Sequence, residues 1–186
     1  RNNNMTATIT YTEFPGPQAH KALQKNEHTI KWAEFCRMVV NVPSYAQKSE
    51  QPLIKLATFD CKRTQAHSLR HDANLLQIWG IEGDYDQGIV TLEQAQERLE
   101  QAGIRAVLHT SASHRQDAPR WRVLAPLSAA HRPDQRNALM ARLNGVLGGI
   151  LSNESWTLSQ AYYLGRVDGV GYEAAVTFDD PDDGAC

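Results

Sequence analysis

The sequence has little cysteine. Cys36, Cys61 and Cys186 are its three, far apart and with no Cys-x-x-Cys pair. No zinc ribbon can be built from them. A sparse, odd count suits a reducing compartment, so a cytoplasmic location is expected. One sign of charge does not dominate either: the formal net charge is −2. Any contact with a phosphate backbone must therefore come from a local basic cluster. No apolar run approaches the length of a membrane span, and no membrane partner is expected. No signal peptide is visible in these residues; the polar stretch Arg1-Asn2-Asn3-Asn4 leads into Met5, which is expected to lie near the native start. A Gly-x-x-x-x-Gly-Lys loop is missing, which argues against an ATPase, and no repeat is visible.

What is present is an ordinary globular composition: 186 residues, 41% of them hydrophobic. Residues 5–178 are expected to form a single domain, with 179–186 an acidic tail. Residues 6–13 are β-branched and read as a strand that Pro15-Gly16-Pro17 ends. Ile30, Trp32, Phe35 and Val39 have near-helical spacing, predicting a helix over 28–40. Residues 43–73 are polar and aperiodic and read as a long excursion. A strand over 74–86 follows, then a helix opened by the capping box Thr91–Gln94 and closed at Gly103. Residues 104–126 read as a β-hairpin. Pro133 opens a helix to Leu147, ended by Gly148-Gly149, and strands over 160–164 and 172–178 finish the chain. The order gives an α+β layer of helices on a mainly antiparallel sheet.

Ile81-Glu82-Gly83-Asp84-Tyr85-Asp86 is the most informative segment. Strand side chains alternate, so Glu82, Asp84 and Asp86 share one face. Three adjacent carboxylates repel one another unless they are solvated or neutralised by cations. Asp84 and Asp86 are two strand residues apart, roughly 6–7 Å between Cα atoms. That spacing lets both converge on divalent ions, and Mg²⁺ or Mn²⁺ prefer such oxygen ligands. The alternative is a strand end dissolving into an acidic turn.

The hairpin carries a second cluster. His109-Thr110-Ser111-Ala112-Ser113-His114 leaves one strand, and Arg120-Trp121-Arg122 starts the next. Hydroxyls, a histidine and arginines at one mouth suit a triphosphate, which arginine grips in a bidentate fashion. Arg120 and Arg122 share a face opposite Trp121. The competing reading is a surface hairpin with solvated arginines. His109 is expected to be a packed strand histidine, and His67 and His71, at i,i+4 but without an acidic neighbour motif, are not expected to bind metal.

Taken in order, Gly80-Ile81-Glu82-Gly83-Asp84-Tyr85-Asp86, Thr110-Ser111-Ala112-Ser113-His114 and Pro119-Arg120-Trp121-Arg122-Val123-Leu124-Ala125-Pro126-Leu127-Ser128 resemble the archaeo-eukaryotic primase superfamily, in the phage and plasmid replication-protein type. Residues 144–149 and 154–163 continue the likeness, which spans about residues 55–165. It implies an RNA-recognition-motif-like sheet with helices packed on it, joined to an N-terminal αβ unit. It implies a primase–polymerase, a nucleotidyltransferase that uses Mg²⁺ or Mn²⁺, nucleoside triphosphates, and a DNA template and primer. A helicase domain in the same or another chain is a further partner of such proteins. Asp84 and Asp86 match the first motif, and Ala112-Ser113-His114 matches the second. The third motif is an aspartate in the family. Glu154 stands nearest that place, with Asp168 the second choice. The resemblance makes Asp84, Asp86, His114 and Glu154 the catalytic set, with Asp84, Asp86 and Glu154 on metal. Ser111, Ser113, His114, Arg120 and Arg122 would hold the nucleotide. Lys55, Lys62, Arg63 and Arg70 are expected to contact the template. Two other classes stay open: a catalytically silent DNA-binding module for replication initiation, and a metal nuclease or topoisomerase-primase-type domain. The hairpin over 104–126 counts against the last, which needs a parallel sheet.

Overall fold

The computed structural model describes residues 7–178; the expectations for 5–6 and for the acidic end, 179–186, lie outside the described residues. β1 (Thr8–Phe14), rich in β-branched residues, pairs antiparallel with β2 (Asn26–Lys31). Ile9 faces Ile30, and the Thr10 and Thr29 hydroxyls are 2.8 Å apart. This corrects the expected start of the first helix. Thr29 and Ile30 are β-branched and complete a strand ladder, so α1 begins at Trp32 and runs to Val40. Its stripe of Trp32, Phe35, Cys36 and Val39 is buried at helical spacing.

The expected excursion over 43–73 is a second correction. It holds β3 (Ser44–Tyr45), β4 (Leu53–Lys55) and β5 (Ala57–Phe59). Every residue from Leu53 to Phe59 is buried. With both faces covered, the segment has no polar alternation to read. β4 joins β1 and β5 joins the next sheet, so the chain passes from one sheet to the other at Leu56.

β6 (Leu75–Tyr85), α2 (Leu92–Gln101), β7 (Val107–Thr110), β8 (Trp121–His131) and α3 (Arg136–Val146) follow close to their expected ranges. The capping box at α2 is formed: Thr91 Oγ1 accepts from the Gln94 N–H at 3.2 Å, and Gln94 Oε1 accepts from the Thr91 N–H at 3.0 Å. β9 (Tyr162–Tyr163), β10 (Arg166–Val167) and β11 (Ala174–Val176) close the described chain.

Two antiparallel sheets result, ordered β2-β1-β4-β9 and β11-β7-β8-β6-β5, with β3 and β10 a short parallel pair. The fold is thus mixed α+β, sheets with packed helices. One face of the five-stranded sheet, through Ile81, Tyr85, Leu108, Trp121 and Val123, packs with Leu92, Ala95 and Leu99 of α2 and Met140 and Leu143 of α3. On its other face Val107 and Leu124 meet α1 and β1. No helix among the described residues is long and apolar enough to cross a membrane.

Candidate functional site

Strand alternation divides β6 into two sets. Ile81, Gly83 and Tyr85 face the helices, while Glu82 and Asp84 face the other way. Gly83 is needed for close approach: a Cβ there would lie 2.6 Å from Leu151 Cδ1. In register with Asp84 stands Arg122 on β8, and beside it His109 on β7. Arg122 Nε donates to Asp84 Oδ1 at 2.9 Å, and its Nη1 donates to the Tyr163 carbonyl at 2.8 Å. The guanidinium carbon lies 5.1 Å from the Tyr162 ring centroid, a cation–π contact. Arg122 is 8% exposed, so this is a sheltered ion pair that salt screens weakly. His109 is buried. Burial, and next the Arg122 charge, push it down to about 3, so it is neutral at physiological pH. It is a packed strand histidine, stacked on Tyr172 with ring centroids 5.9 Å apart.

Glu82 behaves otherwise. It is fully buried, with Lys55 Nζ donating to Oε2 at 2.7 Å and the Leu56 N–H to Oε1 at 2.6 Å. Arg136, also buried, reaches Oε2 at 3.4 Å and the Glu82 carbonyl at 3.2 Å. Burial pushes the Lys55 amine down to about 8, with Glu82 opposing and Arg136 adding to the shift. Lys55 is therefore corrected from template contact to buried counterion, because no solvent or strand reaches it. Two of the three carboxylates have their repulsion relieved by the protein's own cations, Glu82 by Lys55 and Arg136 and Asp84 by Arg122.

A turn beside β6 brings in the third acid. Beyond Gly80 that strand edge lacks a strand partner on the β5 side. It is sealed by Arg136 on the Glu82 carbonyl, Ser155 Oγ on the Asp84 N–H at 2.9 Å, and the Ser152 N–H on the Asp84 carbonyl at 2.8 Å. Those serines flank Glu154, in a single 3₁₀ turn over Asn153–Trp156. On the other side, the Tyr85 hydroxyl accepts from the Ile89 and Val90 N–H groups, and Trp121 Nε1 donates to the Val90 carbonyl. This pins the loop that Asp86 begins.

These elements surround a cleft of about 270 Å³. Asp84, Asp86 and Glu154 line it, together with Ser111, Ser113, Arg120, Arg122 and Arg70. Residues far apart in sequence thus meet in one cleft. Several others do not line it. His114 braces the hairpin turn: its Nδ1 accepts from the Arg120 N–H at 3.2 Å, and its own N–H donates to the Ser111 carbonyl at 3.0 Å. A ring that accepts at Nδ1 carries its proton on Nε2, a donor. Asp168 lies at the β3–β10 pair, where its carboxylate accepts from the Ser44 hydroxyl and its N–H donates to the Tyr45 carbonyl at 2.9 Å. Lys62 is exposed near Asp60 at 3.5 Å. Arg63 holds the Leu23 and His67 carbonyls at 2.9 and 2.8 Å.

The cleft also has residues that sequence reasoning passed over: His20, Lys48, Gln160, Tyr162 and Tyr163. Lys48 Nζ lies 5.3 Å from the Tyr163 ring centroid. Burial and then the Arg122 charge lower its pKa, with Asp84 and Glu154 pulling the other way. The Tyr162-Tyr163 pair gave a signal, since aromatics beside a basic hairpin suit nucleotide stacking; Lys48 in a polar stretch gave none. Four cations (Lys48, Arg70, Arg120, Arg122) and three carboxylates line the cleft.

Asp84, Asp86 and Glu154 are the hard oxygen donors that Mg²⁺ or Mn²⁺ prefer. Their arrangement is not a ligand set. Among the described residues no three His, Cys, Asp or Glu side chains are placed to hold a metal, and Asp84 is engaged by Arg122.

No family model and no curated protein matches the chain. Among solved structures, the AEP domain of the cyanophage S-2L primase-polymerase (PrimPol) superposes with a TM-score of 0.47. The match covers 93% of this chain and 83% of that one, at 14% identity. A likeness of that degree says nothing about chemistry.

Proposed function

We propose that the cleft is the active site of a template-directed nucleotidyltransferase, a DNA primase or polymerase of the phage or plasmid replication type. One observation carries this reading: three carboxylates, two hairpin serines and four cations from distant parts of the sequence converge on one cleft. In such a transfer a 3′-hydroxyl oxygen bonds to the α-phosphorus of a nucleoside triphosphate. The bond to the bridging oxygen breaks, pyrophosphate leaves, and the hydroxyl proton passes to water. Charge grows on the leaving phosphates, and Arg120, Arg122 and Lys48 are the cations that meet it. Ser111 and Ser113 supply hydroxyl donors at the same mouth, and the Nε2–H of His114 is a further candidate donor beside it. Such a reaction calls for Mg²⁺ or Mn²⁺; Asp84, Asp86 and Glu154 are the cleft's carboxylates and would have to leave their present arrangement, Asp84 its pair with Arg122, to hold it. Glu154 is preferred to Asp168 because it alone of the two lines the cleft.

DNA template and primer are the proposed macromolecular partners. Arg70 lies in the cleft and bonds the His20 and Ser159 carbonyls; Lys62 and Arg63 are exposed and do not line it. The second reading, a silent DNA-binding module, is favoured by the Arg122–Asp84 ion pair, which occupies an acid that a catalyst would use. Incorporation of labelled ribo- and deoxynucleotides on primed and unprimed templates, in Mg²⁺ and in Mn²⁺, separates the two. Template-dependent product that Asp86→Ala loses supports the transferase. DNA binding with no product in any condition supports the silent module.

A further inference from the structure

We propose that Arg122 is the resident counterion of Asp84 and that the cleft takes a polyphosphate anion before it takes any divalent ion. The inference rests on the reading of the cleft as a triphosphate site and deepens it. Arg122 is sheltered, and its Nε and Nη1 are committed to Asp84 and to the Tyr163 carbonyl. Its Nη2 makes no bond among the described residues, although the side chain lines the cleft.

The electrostatics set the order of binding. A divalent ion arriving alone at Asp84 would have to share that carboxylate with a guanidinium of the same sign. Removing Asp84 from the pair would leave a sheltered cation uncompensated, which is strongly unfavourable. A phosphate anion meets the opposite situation. It adds negative charge beside Arg122, and Arg120 and Lys48 face the same space. Behind the cleft the buried group of Lys55, Arg136 and Glu82 holds two cations to one anion, adding further positive field. Once phosphate oxygens compensate the guanidinium, Asp84 can turn to a second cation. Anion and divalent ion are then positively coupled, and the coupling is reciprocal.

The wild-type protein carries the first test, and variants at Arg122 and Asp84 carry the second. The Arg122 Nε–H resonance, assigned by its loss in Arg122→Lys, is followed by NMR while ATP is added in EDTA, and separately while Mg²⁺ is added alone. The resonance is expected to move with ATP and to stay with Mg²⁺. In parallel, Mn²⁺ is titrated calorimetrically onto Arg122→Gln without nucleotide. It should bind about tenfold more tightly than to wild type, and Asp84→Asn in the same chain should remove that gain. Movement with Mg²⁺ alone, or Arg122→Gln binding Mn²⁺ no better than wild type, overturns the proposal. If the resonance ignores ATP in EDTA while the protein still incorporates nucleotides with Mg²⁺, the binding order is wrong and the transferase reading stands. If ATP binds neither with metal nor without it, both fall.

Discussion

Glu82 and Asp84 lie two residues apart on the same face of β6, yet they belong to different chemistry. Around Glu82 every charge is sealed: Lys55 and Glu82 are 0% exposed and Arg136 is 1% exposed. Around Asp84 the charges open on a cleft. The strand period put both acids on one face; what covers that face decided their roles. Leu56, α3 and the turn over Asn153–Trp156 close over the Glu82 side chain; at Asp84 the turn bonds only the backbone and leaves the carboxylate at the cleft. A carboxylate row in a sequence is thus no guide to a metal row until the cations that fold against it are known.

The largest expected effect breaks the closed cluster. Glu82→Gln leaves two buried cations without their anion, so unfolding free energy should fall by about 3–5 kcal/mol. Denaturant melts measure it; a loss below about 1 kcal/mol would mean that water reaches Lys55 and Arg136. The matching change in the open cluster, Asp86→Ala, removes an exposed acid. It should leave stability within about 0.5 kcal/mol and cost nucleotide transfer about 100-fold or more.

The opposite face of β6 sharpens the contrast. Gly83→Ala drives a methyl into Leu151, and its cost should be about 1–3 kcal/mol. Since Leu151 leads into the turn that carries Glu154, transfer should fall with it. A variant as stable and as active as wild type would show that Leu151 moves aside freely.

The last effect is a slope with pH. His109 is pushed to about 3 in the fold and returns to about 6.5 on unfolding. Between those values the unfolded chain binds a proton that the folded chain does not. Stability contributed by this group is therefore complete above pH 6.5 and is lost on acidification, by up to about 1.4 kcal/mol per pH unit. His109→Gln should lack that share, so the wild-type advantage should shrink from pH 6.5 towards pH 4. Parallel pH curves would place the histidine in water.

The sequence made local features legible and hid long-range ones. The α2 box Thr91–Gln94 is a contact within one turn, and β6 to α3 carry their own periods. Leu53 to Phe59 could not be read, because a segment buried on both faces shows no alternation and Lys55 looks like a surface residue. Arg136 carried an unused signal: it stands in the buried stripe with Met140 and Leu143, at i, i+4 and i+7 of α3. A charge in an apolar stripe asks for a buried partner. Asp84, Ser111, Arg120 and Glu154 line one cleft although no local pattern joins them; only the resemblance had grouped them. His114 does not line the cleft with them; the turn uses its Nδ1 as a brace and leaves Nε2 beside the mouth. The Asp84–Arg122 pair is a cross-strand register fact, invisible without knowing that β6 and β8 are neighbours.

The division of one strand face into a structural and a functional charge cluster is tested most directly by a crossed measurement on two proteins. Unfolding free energy and template-dependent nucleotide incorporation are measured for Glu82→Gln and for Asp86→Ala, at a temperature where both are folded. Glu82→Gln should lose mainly stability and keep nucleotide incorporation within about tenfold, while Asp86→Ala should keep stability and lose incorporation about 100-fold or more. Incorporation by Asp86→Ala at the wild-type rate, with Glu82→Gln stable but inactive, would contradict the assignment and move the chemistry to the buried acid.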